Sequence, residues 1–377
     1  MKAQGFIASR LRFKGRLAAV AIAVSFFVMI LSLAISGGFR HEIRRGISEV
    51  AGDITLSGSN DAPVSLDLSY LDKLREVNGV QSITPVIWKP AIIKGPEDIS
   101  GVLVKGIPMA DSCSLQARIP SRLSRTLHLN SGDSFTAYFV EEKVRARKFT
   151  VSEVYDAPVD SDEMLTVLVP LSDMQRLCGW GADTAGSLEV LMNQGVPAEN
   201  AAMEMSLVSY VSHTEEEDVL RVSTARQRYP QLFDWLDLID FNVLAIILLM
   251  TVVAGFNMIS GLLILLFRNI STIGTLKSLG MGNRAIAGVF LRVAARIVAV
   301  GMIIGNGLAL LFCLVQGATH FIRLNPANYF VSFVPVYISP ALVIAVDVLA
   351  FGAIMLMLLI PTLFISKVDP AETVRIK

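Results

Sequence analysis

The sequence predicts an α-helical membrane protein with four transmembrane helices and a large α+β extracytoplasmic domain between helices 1 and 2. Three observations predict it. Four apolar runs, within residues 17–38, 239–267, 287–319 and 338–366, each reach the roughly 20 residues that a spanning helix needs. The 377-residue chain is 53% hydrophobic with a mean hydropathy of +0.56, against about 45–50% apolar for a soluble domain. Its charges are also divided. Residues 40–240 hold 30 acids and 19 bases and the remainder holds 3 acids and 14 bases, a contrast that the net charge of zero conceals.

Residues 1–16 form a basic lead-in. Lys2, Arg10, Arg12, Lys14 and Arg16 stand there with no acid among them. Positive residues flank spans on the cytoplasmic side, so the N-terminus is placed inside. The apolar run at 17–38 exceeds the core of a signal peptide, about 7–15 residues, and ends without a small-x-small cleavage site. It is read as a retained anchor.

Residues 39–238 form the extracytoplasmic domain. "FRHEIRRGISEVAG" continues the first helix and gives way to a strand near Asp53. "LDLSYLDKLREV" carries Leu68, Leu71 and Leu74 at helical spacing. "GVQSITPVIWKPAIIK" and "ISGVLVKGI" are β-branched runs bounded by Gly and Pro, and predict strands. "RLSRTLHLNSGDSFTAYFV" predicts a short helix, a turn at 131–133 and a strand. "RKFTVSEVYD", "LTVLVPL" and "SLEVLMN" predict further strands, with helices from 172 and from about 197 to 211.

The second span, 239–267, leads to a cytoplasmic segment at 268–286. The third, 287–319, leads to an extracytoplasmic loop at 320–337 that holds only His320 and Arg323 as basic residues. The fourth, 338–366, leads to a cytoplasmic tail at 367–377 with Lys367, Arg375 and Lys377. One span, a domain and three spans make an asymmetric layout with no internal repeat, unlike transporters built from inverted repeats.

Several chemistries are excluded. No GxxxxGK[ST] phosphate loop, HExxH or G-x-S-x-G motif occurs, and His41, His128, His213 and His320 share no metal-ligand spacing. No catalytic, cofactor-binding or metal-binding residue is assigned. Glu215, Glu216, Glu217 and Asp218 could attract a cation, but such a run is usually a solvated face. Cys113, Cys178 and Cys313 make no disulfide framework; a Cys113–Cys178 bridge is the one pairing outside an apolar run. The acidic domain argues against nucleic acid as a partner.

Within the spans, Asp347 admits two readings: it lines an interface or lateral opening used in transport, or it is hydrated or protonated. Arg292 and Arg296 lie near the inner end of the third span and can snorkel to the surface. Pro361 is expected to bend the fourth helix. Gly255, Gly261, Gly301, Gly305 and Gly307 allow close helix approach, within this chain or against another.

The segment "FRNISTIGTLKSLGMGNRAI" is the candidate functional site. Ile270, Ile273, Leu276 and Leu279 recur every third residue, an apolar ridge on a helix with Lys277 and the hydroxyl residues to its side. Gly280 and Gly282 are expected to end that helix in a left-handed cap, with the next helix starting at Asn283 or a neighbour. One reading is a connector lying on the inner membrane face, which suits its basic charge. The other is a docking ridge, since an exposed apolar ridge usually meets something.

"STIGTLKSLGMGNRAI" resembles the cytoplasmic E-I-G-x-L-K-A-L-G-A segment of the FtsX-like permease superfamily, which includes the MacB-type, FtsX-type and Lol-type ABC permeases. The match falls on Ile273, Gly274, Leu276, Lys277, Leu279 and Gly280; where the family often has an acid, this chain has Thr272. Further blocks fall in the same order: "LAISGGFRHEIRRGISEVAGDITLSG", "GVLVKGI", "LHLNSGDSFTAYFV", "VVAGFNMISGLLILLFRNISTIGTLKSLG" with Ala254, Phe256 and Asn257, "LNPANYFVSFVPVYISP" and "KVDPAETVR". The chain is most similar to lipoprotein-releasing, Lol-type permeases.

The resemblance implies a MacB-like periplasmic core domain in a multi-pass protein of the bacterial inner membrane, with both termini cytoplasmic. It implies a membrane subunit that is not itself an enzyme. ATP and Mg would be bound by a cytoplasmic ABC ATPase dimer, which would dock on the coupling helix through Ile270, Ile273, Gly274, Leu276, Lys277, Leu279 and Gly280. A second permease copy or a paralogue, membrane lipids, a lipoprotein cargo and a periplasmic carrier complete the implied partners. Two alternatives stay open: a MacB-like exporter of a drug, peptide or toxin working with a periplasmic adaptor, and an FtsX-like regulator of a cell-wall hydrolase.

Overall fold

A computed structural model describes residues 16–362, apart from 60–61, 96–97, 111–112, 141–143, 157–164, 194–195, 214–218, 326–328 and 330. The acidic run at 215–218, the first fifteen residues and the tail from 363 lie outside the described residues. Two compact units divide the chain. One takes the sequence up to Arg40 together with Trp235–Ile322 and the residues from Val334 onward; the other takes His41–Asp234 and Arg323–Phe333. The loop expected at 320–337 is therefore shared, its middle belonging to the second unit.

The first unit is helical. Among the described residues four helices are long and apolar enough to cross a membrane: α1 (Arg16–Ala51), α7 (Pro230–Arg268), α9 (Asn283–Thr319) and the pair α10 (Pro340–Met357) and α11 (Leu359–Thr362). The break at Leu358 lies where Pro361 removes the N–H that would bond to Met357, so the expected bend is a short interruption. Ile22, Phe26, Met29, Ala254, Met258, Val298 and Ile354 form part of the shared core.

Two glycines set the closest contact. A Cβ on Gly301 would lie 2.7 Å from Ile22 Cγ2 and 3.0 Å from Ala19 O. One on Gly305 would lie 2.9 Å from Phe26 Cβ and would also strike the carbonyl of Ala23. The small-xxx-small pair thus serves this chain's own first span. Between α1 and the first turns of α7, Arg40 pairs with Asp237 at 3.6 Å and with Asp240, while Phe39 and Trp235 meet edge to face at 5.6 Å. Gln316, fully buried, accepts from Ile322 N at 3.2 Å and donates to Val334 O at 3.1 Å.

The second unit is built on a nine-stranded sheet, ordered β11-β1-β10-β3-β4-β8-β5-β7-β6, in which β6 also pairs with β3. The strands are β1 (Ile54–Ser57), β3 (Val80–Lys94), β4 (Ile99–Ile107), β5 (Gln116–Pro120), β6 (Ser134–Val140), β7 (Val144–Tyr155), β8 (Thr166–Pro170), β10 (Ser187–Met192) and β11 (Arg221–Thr224), with a separate pair β2 (Val64–Ser65) and β9 (Thr184–Ala185). The extra β3–β6 pairing closes six strands into a small barrel. Strand β3 is shared: Val80 to Val86 pair with β10, and Ile87 to Lys94 pair with β4. Pro85 and Pro90 each lie on a stretch paired along one edge only, where a missing N–H is tolerated.

Strict alternation fills the barrel. Phe135, Ala137 and Phe139 of β6 point inward, and Phe135 meets its cross-strand partner Phe149 at 6.0 Å between ring centres. The Tyr155 hydroxyl donates to Thr166 O at 2.7 Å, and burial pushes it up to about 12. Helices α3 (Ser121–Leu127) and α4 (Leu171–Cys178) contribute Leu123, Leu127 and Met174 to the same core. The other lobe packs α2 (Leu71–Arg75) and α5 (Ala198–Ser212) on β1, β10 and β3, around Ile54, Tyr70, Leu74, Val190 and Met205. No disulfide joins Cys113 and Cys178.

A buried polar cluster lies where α1 ends. Lys105 and Glu189 form an ion pair at 2.6 Å with side chains only 6% and 7% exposed. Lys105 also donates to the carbonyl of Val50, and Trp88 Nε1 donates to Glu189 Oε1 at 2.7 Å. Arg228, on the one-turn helix α6 (Ala225–Arg228), donates to Ala51 O at 2.5 Å and Gly52 O at 3.2 Å. Burial pushes Lys105 and Arg228 below their usual ranges, and Glu189 opposes both shifts.

Two substitutions probe these contacts in the full chain in detergent. Lys105→Met leaves Glu189 buried without its cation and is expected to cost about 3–5 kcal/mol in chemical unfolding. Gly305→Leu is expected to lower the unfolding temperature, whereas Gly307→Leu, at a position with nothing within 4 Å, leaves it unchanged.

Candidate functional site

The segment between the second and third apolar helices folds as α8 (Ile270–Ser278), separated from α7 by Asn269. Asn269 Nδ2 turns back to Leu265 O at 2.8 Å and accompanies the bend between the two helices. The C-terminus is a Schellman motif. Met281 N donates to Leu276 O at 3.0 Å and Gly280 N to Lys277 O at 2.9 Å, with Gly280 at φ +84°. Leu276 and Met281, the residues that such a motif brings together, both pack on the helical core.

Only one of the two glycines caps α8. Gly282 is extended, at φ −68° and ψ 153°, and stands as the N-cap of α9, which starts at Asn283. Its expected part in the left-handed cap is therefore corrected.

The expected ridge is also corrected in its geometry. At 100° per residue, a step of three falls 60° short of a full turn, so Leu279 ends opposite Ile270. Ile273 is 1% exposed and Gly274 is buried; both face the chain's own helical core, which also takes Leu276 at its edge. Ile270 and Lys277 are half-buried, and Gly280 is exposed. Leu279 is 78% exposed.

The outward face comprises Ser271, Thr272, Thr275, Ser278 and Leu279. Thr275 Oγ1 donates to Ser271 O at 2.9 Å and Ser278 Oγ to Gly274 O at 3.0 Å, so two of these hydroxyls are already committed to their own helix. Arg268 and Arg284 are exposed at the two ends. The surface on offer is a small hydroxyl-rich face with one apolar residue, bordered by cations and free of acid. Sequence spacing missed it because hydroxyl residues carry no periodic signal.

Asp347 lies elsewhere, on α10, where it accepts a hydrogen bond from Asn306 Nδ2 of α9 at 2.6 Å. Arg292 and Arg296 are exposed on α9.

Residues 244–370 match the family model described as FtsX-like permease C-terminal. Over 394 aligned residues the chain is 22% identical to the lipoprotein-releasing system transmembrane protein LolC of Xylella fastidiosa, covering 94% of this chain and 92% of that protein. Among solved structures, the periplasmic region of MacB from Actinobacillus actinomycetemcomitans covers 49% of this chain and 95% of its own, at 14% identity and a TM-score of 0.33. The extracellular domain of the noncanonic ABC-type transporter YknZ from Gram-positive bacteria covers 45% and 98%, at 11% identity and a TM-score of 0.30. Likenesses at that level say nothing of function.

The two faces of α8 separate by mutation. Ile273→Asp is expected to destabilise the permease itself, seen as a lowered unfolding temperature in detergent, while Leu279→Asp leaves that temperature unchanged.

Proposed function

From residues 244–370, an FtsX-like permease domain, we propose that this chain is the membrane subunit of an ABC transporter that releases lipoproteins from the bacterial inner membrane. The observation that carries the reading is similarity along nearly the whole chain to a lipoprotein-releasing permease, together with the absence of any phosphate-binding loop. The chain has no means of its own, by that route, to use ATP. A separate cytoplasmic ATPase dimer would bind ATP and Mg.

In this reading α8 is the docking helix. Its outward face would enter a groove of the ATPase, with Leu279 as the apolar anchor and Arg268 and Arg284 steering toward acidic borders. The buried side, Ile273 and Gly274, would transmit a push on α8 into the helices it packs against. Nucleotide would bias two arrangements of those helices, and only a difference in ATPase affinity between them can do the work. The basic flanks support an orientation with the large domain periplasmic and both termini cytoplasmic. A second copy or a paralogue would supply the other docking helix.

Depletion of the protein tests the cargo: outer-membrane lipoproteins are expected to accumulate in the inner-membrane fraction, and their normal release would sink the reading. Co-purification tests the docking. Leu279→Asp is expected to weaken ATPase retention by about tenfold or more while the permease stays folded.

A further inference from the structure

Asp347 is the one charged residue in the sequence across 17–39, 241–267, 297–319 and 340–362. It lies about 10 Å along α10 from Pro340. Its Oδ2 accepts from Asn306 Nδ2 at 2.6 Å. The remaining oxygens of the two side chains, Asp347 Oδ1 and Asn306 Oδ1, are both buried and have no hydrogen-bond partner among the described residues.

Two such oxygens cannot satisfy each other while Asp347 is a carboxylate, because both only accept. A buried acceptor without a donor is disfavoured, and more so where no water competes. Among the described residues no cation is paired with Asp347. The spanning parts of α1, α7, α10 and α11 carry no base. On α9 the nearest bases along the helix are Arg296 and Arg292, about 15 Å and more from Asn306 and exposed. The other titratable group on α9 near this depth is the Cys313 thiol, which is buried.

We infer that the Asn306–Asp347 pair is a proton-binding site. The proton sits on Asp347 Oδ1 and is donated to Asn306 Oδ1, while the Asn306 amide donates to Asp347 Oδ2. The two groups close an acid–amide ring that occupies both orphaned oxygens with one added proton. The carboxylate takes that proton from water or buffer, forming one O–H bond, and the conjugate base stays outside the membrane. The pair then joins α9 to α10 as a neutral clasp. Release of the proton would set a carboxylate against an amide oxygen and open it.

The test uses the full chain in lipid nanodiscs at neutral pH, read by infrared difference spectroscopy. Wild type minus Asp347→Asn is expected to show the carbonyl stretch of a protonated carboxylic acid. In wild type minus Asn306→Leu that band is expected to shift, since the acid loses its partner. Asp347→Asn, which can still form an amide–amide ring, keeps the unfolding temperature close to that of the wild type; Asp347→Ala and Asn306→Leu lower it. Carboxylate bands in place of the acid band, a band unmoved by Asn306→Leu, or carboxylate bands that respond to added Na⁺ would each overturn the assignment. If Asp347→Asn fails to fold, the Asn306→Leu difference spectrum decides alone.

Discussion

The last carbonyls of α1 impose the constraint on which the second unit depends. A helix leaves its final carbonyls without intrahelical partners, and here Ala51 is fully buried and Val50 nearly so. Water is not at hand to satisfy them, so side chains must. Lys105 takes Val50 and Arg228 takes Ala51 and Gly52, cations at the negative end of a helix dipole. Burying Lys105 then requires Glu189, and burying Glu189 requires a second donor, which Trp88 supplies. Three strands, β3, β4 and β10, are thereby positioned by one helix end. A buried ion pair is weak evidence for stability, and its value here is geometric: a slipped register of β4 against β3 would leave both charges and the Val50 carbonyl unmatched.

The helical unit obeys a different rule. In lipid the helices gain little from hiding apolar surface, because the tails are as apolar as leucine, and close packing has to supply the association. Gly301 and Gly305 let the backbone of α1 approach α9 until side-chain and backbone atoms of Ile22, Ala23 and Phe26 touch the helix surface. Strong polar contacts are kept mainly to the helix ends, at Arg40, Asp237, Asp240 and Gln316. Asn306 and Asp347 break that pattern.

Much of this was legible in the sequence. Apolar length and charge bias marked the four helices, and β-branched runs bounded by Gly and Pro marked β3 and β4; β6, β7, β8 and β10 were also placed to within a few residues, because such signals are local. The helix expected across "LDLSYLDKLREV" shrank to Leu71–Arg75, since its leucines face a sheet that only tertiary pairing creates. Strand β5, "QARIP", was missed: five residues with one Arg and one Pro give no alternation, and it is a strand because β7 and β8 flank it. Lys105 sat inside a strand that was recognised, yet its burial was invisible, for nothing near it in sequence names Glu189 or Val50. Barrel closure through β3 and β6 is likewise a non-local fact.

The same limit governed α8, whose place in the chain was legible and whose outward face was not. Ile270, Ile273, Leu276 and Leu279 look like a ridge when counted in threes, but the helical period is 3.6, and over nine residues the row crosses from one side to the other. An apolar side chain on a short helix beside a membrane bundle also has two possible debts, one to its own bundle and one to a partner, and sequence alone cannot apportion them. Burial does so here. Ile273 and Leu276 are held by the chain's own core, so replacing them would disturb the bundle whether or not anything docks. Leu279 alone of the four is large, apolar and mostly exposed, and it sits beside Thr272 and Thr275 on a face without acid. A partner that recognises this helix must therefore accept hydroxyls and one leucine between flanking arginines, and a groove shaped for a continuous apolar ridge would not fit it.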